Sequence, residues 1–97
     1  MNIEDMIKEK RGTILDVRTP EEFQGGHAEG SINIPLQVLP NQVDEIKKLQ
    51  MPLILCCASG NRSRQAHRFL VRHNIECHDA GSWLNVHQLQ TQTNEQV

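Results

Sequence analysis

The sequence has no run approaching the roughly 20 apolar residues that a membrane-spanning helix needs. Its opening, MNIEDMIKEK, lacks the apolar stretch of a secretory signal. A cytoplasmic location is therefore expected, with no membrane partner. Aromatic residues are scarce, with two Phe, one Trp and no Tyr, so no set of stacking rings is available for single-stranded nucleic acid. Neither charge sign dominates: ten Lys and Arg face twelve Asp and Glu, for a net charge of −2. That balance gives no general attraction to nucleic acid or anionic lipid, while leaving room for a local basic patch.

The three cysteines, Cys56, Cys57 and Cys77, make an odd number and so a poor disulfide framework. Cys56 and Cys57 are adjacent. Their Cα atoms lie about 3.8 Å apart across a trans peptide, short of the ~4.4 to 6.8 Å that a disulfide spans. Reduced thiols are expected. No C-x2-C or H-x3-H pair occurs among these cysteines and the five histidines, so no metal site is expected. Repeats and linkers are also missing. Ninety-seven residues with 37% hydrophobic and 23% charged content suit one modest core. The expectation is a single domain over residues 1–87, monomeric, followed by a polar, flexible tail over 88–97.

What is present is an alternation of short elements. Ile3, Met6 and Ile7 share one face of a helix over residues 3–10, stopped by Gly12. Residues 13–17 read as a buried strand. Thr19, Pro20 and Glu22 form the start signature of one helical turn, ended by Gly25 and Gly26. A short strand is expected over 31–34. Val43, Ile46 and Leu49 then indicate a helix of about nine residues after Pro40. Residues 53–56 are apolar without alternation, as in a strand buried on both faces. A helix from Ser63 to about His73 turns Ala66, Phe69, Leu70 and His73 inward and Arg64, Arg68 and Arg72 outward. A last strand over 75–78 and a helix over 83–89 complete the set. Strands alternating with helices imply an α/β fold, an open parallel sheet of four to five strands with helices on both faces.

Such a sheet binds ligands beyond the carboxyl ends of its strands, and Cys57 lies at one. The loop Ala58, Ser59, Gly60, Asn61, Arg62, Ser63 is small and flexible enough to turn backbone N–H groups inward as an anion-binding nest. The following helix adds unpaired N–H groups and the positive end of its dipole, and Arg62 adds a full charge. Together they are expected to lower the Cys57 pKa and leave a nucleophilic thiolate near neutral pH.

The run CASGNRS over 57–63 resembles the active-site loop of the single-domain rhodanese family, the thiosulfate sulfurtransferases. Three more segments resemble that family in its order: DVRTPEEF over 16–23, GHAEGSINIP over 26–35 and AGSW over 80–83. The resemblance implies a five-stranded parallel sheet and a sulfane sulfur carried as a persulfide on Cys57. The donor would be thiosulfate or a persulfide and the acceptor cyanide or a thiol, with no cofactor. The C-x4-R spacing from Cys57 to Arg62 is one residue shorter than the C-x5-R of cysteine phosphatases. A smaller ring suits a terminal sulfur better than a tetrahedral oxyanion.

Other residues are given supporting roles. Asp16 is expected to hydrogen-bond backbone near the cysteine loop, and Arg18 to pair with Glu21 or Glu22. His27 is expected to hold a loop by hydrogen bonds, and Trp83 to pack at the mouth of the site or in the adjoining core. Cys56 and Cys77 read as core residues. The Arg64, Arg68, Arg72 stripe reads as a solvated face that raises the local potential, attracting thiosulfate or an acidic protein partner. The rival reading is a non-catalytic protein-interaction or sulfur-relay module.

Overall fold

The computed structural model describes residues 2–95. In chain order it contains α1 (Ile3–Lys8), β1 (Thr13–Asp16), α2 (Pro20–Gln24) and β2 (Ile32–Asn33). A 3-10 helix over Leu36–Asn41 leads to α3 (Val43–Lys47), β3 (Leu53–Cys57), α4 (Asn61–Arg72), β4 (Cys77–Ser82) and α5 (Trp83–Glu95). The strands form one sheet in the order β2-β1-β3-β4, and every neighbouring pair is parallel.

All five residues of β3 are buried, and their alternation divides the interior. Leu53, Leu55 and Cys57 join Leu15, Val17, Leu39, Ile46, Ala66 and Leu70 on the face covered by the 3-10 helix, α3 and α4. Ile54 and Cys56 join Met6, Ile7, Ala28, Ala80 and Val86 on the face covered by α1 and α5. The period of two along a strand thus sends Cys56 and Cys57 to opposite sides of the sheet. Each fully buried aliphatic side chain here contributes about 1.5–3 kcal/mol relative to exposure.

Four strands are present among the described residues, not the five implied by resemblance, because Asn2 already caps α1: its side chain accepts the Asp5 N–H at 2.8 Å. The capping box of α2 forms as its sequence signature requires, with Thr19 and Glu22 bonded reciprocally. The nine-residue helix expected after Pro40 is replaced by the 3-10 helix and the five-residue α3. Pro40 has no N–H to give, a lack the short 3-10 segment tolerates. β2 is only two residues long. β4 lies later than expected, over Cys77–Ser82, and is bulged: Leu55 pairs with Asp79 but Cys57 with Ser82. Gly81, at φ +78°, takes up the extra residue. Residues 88–95 of the expected tail continue α5, and Gln90 exchanges two hydrogen bonds with the Glu29 backbone; Gln96 and Val97 lie outside the described residues. Among the described residues, no helix is long and apolar enough to cross a membrane.

Candidate active site

The chain leaves β1 toward β2 on one side and β3 toward β4 on the other, so the crevice between the carboxyl ends of β1 and β3 is the topological switch point. Cys57 is the last residue of β3. Its Sγ accepts the Gly60 N–H at 3.0 Å and the Ser63 N–H at 3.3 Å. Gly60 is the N-cap of α4 at φ +101°, a left-handed conformation that bends the loop back over the sulfur. A Cβ at Gly60 would lie 3.6 Å from Gly81 Cα, so the β4 bulge brings a second glycine against the cradle. Ala58 and Ser59 form the exposed crest of this loop.

Cys57 is fully buried, and burial alone pushes a thiol pKa up. Here that push is outweighed by hydrogen bonds from the Ser63 hydroxyl and from the Ser63, Gly60 and Ser59 amides, so the Cys57 pKa is lowered. The Ser63 hydroxyl has two arrangements. It lies 3.1 Å from the Gly60 carbonyl oxygen and 3.6 Å from Sγ. Donating to the carbonyl, it leaves a lone pair for the Cys57 S–H; rotated, it donates to the thiolate. One buried hydroxyl therefore serves both protonation states.

Arg62 does not line the cradle as expected. α4 begins at Asn61 rather than Ser63, so Arg62 belongs to the first helical turn and turns to α2, where its two terminal nitrogens donate to the Glu22 carboxylate at 2.7 and 2.9 Å. The Arg62 hydrogen bonds, with the Thr19 amide, hold the Glu22 pKa down at about 2. Glu22, expected from the sequence as a helix cap and a candidate partner of Arg18, is thus the residue that neutralises Arg62. Its partner lies 40 residues away, and no local pattern announces the pairing. Beside Arg62, Val17, Thr19, Pro35, Leu36 and Gln37 enclose a depression of ≈ 130 Å³, below the roughly 300 Å³ of ordinary small-molecule pockets.

Asp16 and Arg18 also differ from expectation. Two apart on an extended chain, they point the same way, and the Asp16 carboxylate accepts the Arg18 backbone N–H at 3.0 Å and its guanidinium at 2.8 and 3.0 Å. Asp16 therefore makes no side-chain bond to the cysteine loop. Arg18 pairs with Asp16, not with Glu21 or Glu22; from Glu22 it takes only the carbonyl, at 3.3 Å, and it donates to the Gly26 carbonyl at 2.7 Å. Its guanidinium carbon sits 4.7 Å from the centre of the Trp83 ring, which packs against the cluster beneath α1 and α5. His27 stacks on Phe23 at 3.8 Å and places Nδ1 2.8 Å from the Phe23 carbonyl oxygen. Arg18 and Trp83 pack on the side of the sheet that holds Cys56, and His27 braces the end of α2. Cys56 and Cys77 pack in the two cores, and burial pushes their pKa values up to about 12 and about 11.

Comparison with known proteins agrees with this geometry. The Rhodanese-like domain family matches residues 2–89. An uncharacterized protein of Bacillus subtilis, YqhL, is 39% identical over 61 residues, 63% of this chain and 48% of that protein. A sulfurtransferase of Allochromatium vinosum is 32% identical over 59 residues, 61% of this chain and 54% of that protein. The chain thus aligns with about half the length of these two relatives. Among solved structures, an E. coli rhodanese with anions superposes with a TM-score of 0.67 at 28% identity, covering 75% of this chain and 88% of that one. With the family model matched over residues 2–89 and the cysteine loop turning its Gly60 and Ser63 amides onto Sγ, the chain belongs to the rhodanese-like domain family.

Proposed function

We propose that this chain is a sulfurtransferase that carries sulfane sulfur as a persulfide on Cys57. The observation that carries the reading is the pair of amides at 3.0 and 3.3 Å from a sulfur whose pKa they lower against burial. In the first half-reaction the Cys57 thiolate attacks the outer sulfur of thiosulfate. Its lone pair forms the new S–S bond, the donor's S–S bond breaks, and sulfite leaves with that electron pair. In the second, cyanide or an acceptor thiolate attacks the terminal sulfur, thiocyanate or an acceptor persulfide departs, and Cys57 returns as a thiolate. Both resting forms are sulfur anions: the Gly60 and Ser63 amides meet the thiolate on Sγ, and the persulfide carries its charge about 2 Å further out, where N–H groups of the same loop would have to meet it. Thiosulfate is a small dianion that suits the shallow depression beside Arg62.

Intact-mass analysis of the reduced protein before and after thiosulfate tests this. Wild type gains the mass of one sulfur atom, loses it to cyanide or dithiothreitol, and Cys57→Ser gains nothing. The full burial of Cys57 favours one other reading, an interaction or sulfur-relay module whose loop does not turn over small donors. No gain of sulfur from thiosulfate or from a small persulfide donor supports that reading and removes the first.

A further inference from the structure

Charge on this molecule is not spread as its near-neutral total suggests. Among the described residues, Lys8, Arg11, Arg18, Lys48 and Arg62 are each in an ion pair. Lys10, Lys47, Arg64, Arg68 and Arg72 are in none and are exposed, and of these only the three arginines share one helix. They recur every four residues along the outer face of α4, a row about 12 Å long at 1.5 Å per residue. Neighbouring guanidinium groups on one face repel each other by a few tenths of a kcal/mol per pair, so a helix face with no partner gains nothing from the arrangement. Val71, three residues after Arg68 and seven after Arg64, lies on the same face and is 49% exposed. Val71 thus sets an exposed apolar side chain at the edge of the arginine row, and arginine is enriched in protein interfaces.

The position of this row is what gives it a use. α4 is the helix whose first turn cradles Cys57 through Gly60 and Ser63. The row begins at Arg64, one residue beyond Ser63, and leads away from the exposed loop crest at Ala58 and Ser59. Anything seated on the arginines is therefore held beside the cysteine loop. We propose that the outer face of α4 is the docking surface for the sulfur acceptor, and that this acceptor is a protein thiol carried beside an acidic helix or strip with carboxylates at a matching spacing. This deepens the sulfurtransferase reading and rests on it. Arginine suits carboxylates because its planar fork takes them bidentately, and a row of three sets register as well as attraction. Nucleic acid is the poorer occupant: the face carries no aromatic ring on which a base could stack, and the chain as a whole is acidic.

The test uses the full chain and Arg64→Gln/Arg68→Gln/Arg72→Gln, a variant that keeps helix-forming residues at sites without bonds to lose. Cys57 is first loaded with thiosulfate, and transfer is then followed to three probes. One is a helical peptide with one cysteine and glutamates at i, i+4 and i+8; the second replaces those glutamates with glutamines; the third is 2-mercaptoethanol. For wild type the acidic peptide is expected to react about tenfold or more faster than the neutral one at low salt, with the advantage shrinking as salt rises. In the triple variant that advantage disappears while transfer to uncharged 2-mercaptoethanol stays unchanged; loading is run to completion first, so a slower uptake of the thiosulfate dianion does not enter the comparison. Equal rates for the two peptides, or an advantage that survives in the variant, overturn the docking proposal. So does a single-stranded RNA oligonucleotide that suppresses transfer to the acidic peptide without slowing transfer to 2-mercaptoethanol. Failure to load is a different failure, of the sulfurtransferase reading itself; binding of the acidic peptide with its cysteine changed to serine, read by fluorescence anisotropy, then still judges the surface.

Discussion

Cys56 and Cys57 are adjacent residues of one strand, both closed to solvent, yet they face opposite chemical environments, Cys56 the deeper of the two. On the side of α1 and α5, Cys56 meets Ile54, Met6, Ala80 and Val86. Burial, with the negative charge of Asp16, pushes its pKa up to about 12. On the side of α4, Cys57 is less deeply set and meets the Gly60 and Ser63 amides and the Ser63 hydroxyl, and its pKa falls even though burial pushes it up. Depth alone does not set the acidity of the two thiols. The loop after Cys57 reverses the effect of burial there through where it aims its N–H groups.

The largest effect that contrast predicts is in alkylation. Iodoacetamide is expected to modify Cys57 alone in the native protein, with a rate-against-pH midpoint below the ordinary thiol value, while Cys56 and Cys77 react only after unfolding. Cys57→Ser then leaves the native protein unlabelled by mass spectrometry. Native labelling of Cys56, or an ordinary midpoint for Cys57, breaks the comparison. The same contrast has a stability signature of opposite signs. Cys56, with its pKa raised in the folded state, contributes stability below the ordinary thiol pKa that is lost as pH climbs toward about 12. Cys57, with its pKa lowered, contributes stability above the ordinary thiol pKa that is lost as pH falls through its folded value. In chemical denaturation, Cys56→Ala should therefore flatten the alkaline loss of stability and Cys57→Ala should steepen it.

A smaller but more local effect is expected from Gly60→Ala. The new Cβ has room, 3.6 Å from Gly81 Cα, so the cost lies in the backbone at φ +101°, about 1–2 kcal/mol. Relaxing that angle withdraws the Gly60 N–H from Sγ. Sulfur loading should slow by about tenfold or more, and the alkylation midpoint of Cys57 should rise. A slower reaction with an unchanged midpoint would mean that the glycine shapes donor access and not thiol acidity.

How much of this the sequence revealed depends on how far apart the partners lie. The Thr19–Glu22 box, the buried run of β3 and the inward and outward faces of α4 are encoded within a few residues, and the structure forms each of them. The cysteine loop was likewise readable, because small residues before a helix can do little else but present backbone N–H groups. What failed was long-range or subtle. The Arg62–Glu22 pair joins residues 40 apart. The β4 bulge depends on how Asp79 and Gly81 register against β3. Asp16 and Arg18 bond to each other across two residues of extended chain, where the sequence suggests the cysteine loop for one and Glu21 or Glu22 for the other. Arg18 and Trp83 stack on each other on the Cys56 side of the sheet, a contact between distant stretches of the chain that no local pattern announces.

The mildest perturbation tests whether Glu22 tunes the Cys57 side of the sheet from the outside. Glutamine at this position can still complete the capping box of α2, so Glu22→Gln removes a charge with little cost to the helix. Arg62 then keeps a hydrogen bond but loses the carboxylate that neutralises it, and the potential beside the depression at Val17 and Leu36 becomes more positive. For the thiosulfate dianion KM should fall severalfold at low salt, with kcat unchanged and the gain fading as salt rises. Because the Glu22 pKa is held at about 2, the wild-type carboxylate stays ionised at any pH at which the assay is practical. The stability it adds is present above the ordinary carboxylate pKa, is lost only as pH falls toward about 2, and is small because the pair is about one-third exposed. Lower thiosulfate KM with intact stability would make Glu22 a restraint on donor charge. A higher KM would mean that its service is to aim Arg62, and that the guanidinium must be held in place before it can help an anion reach Cys57.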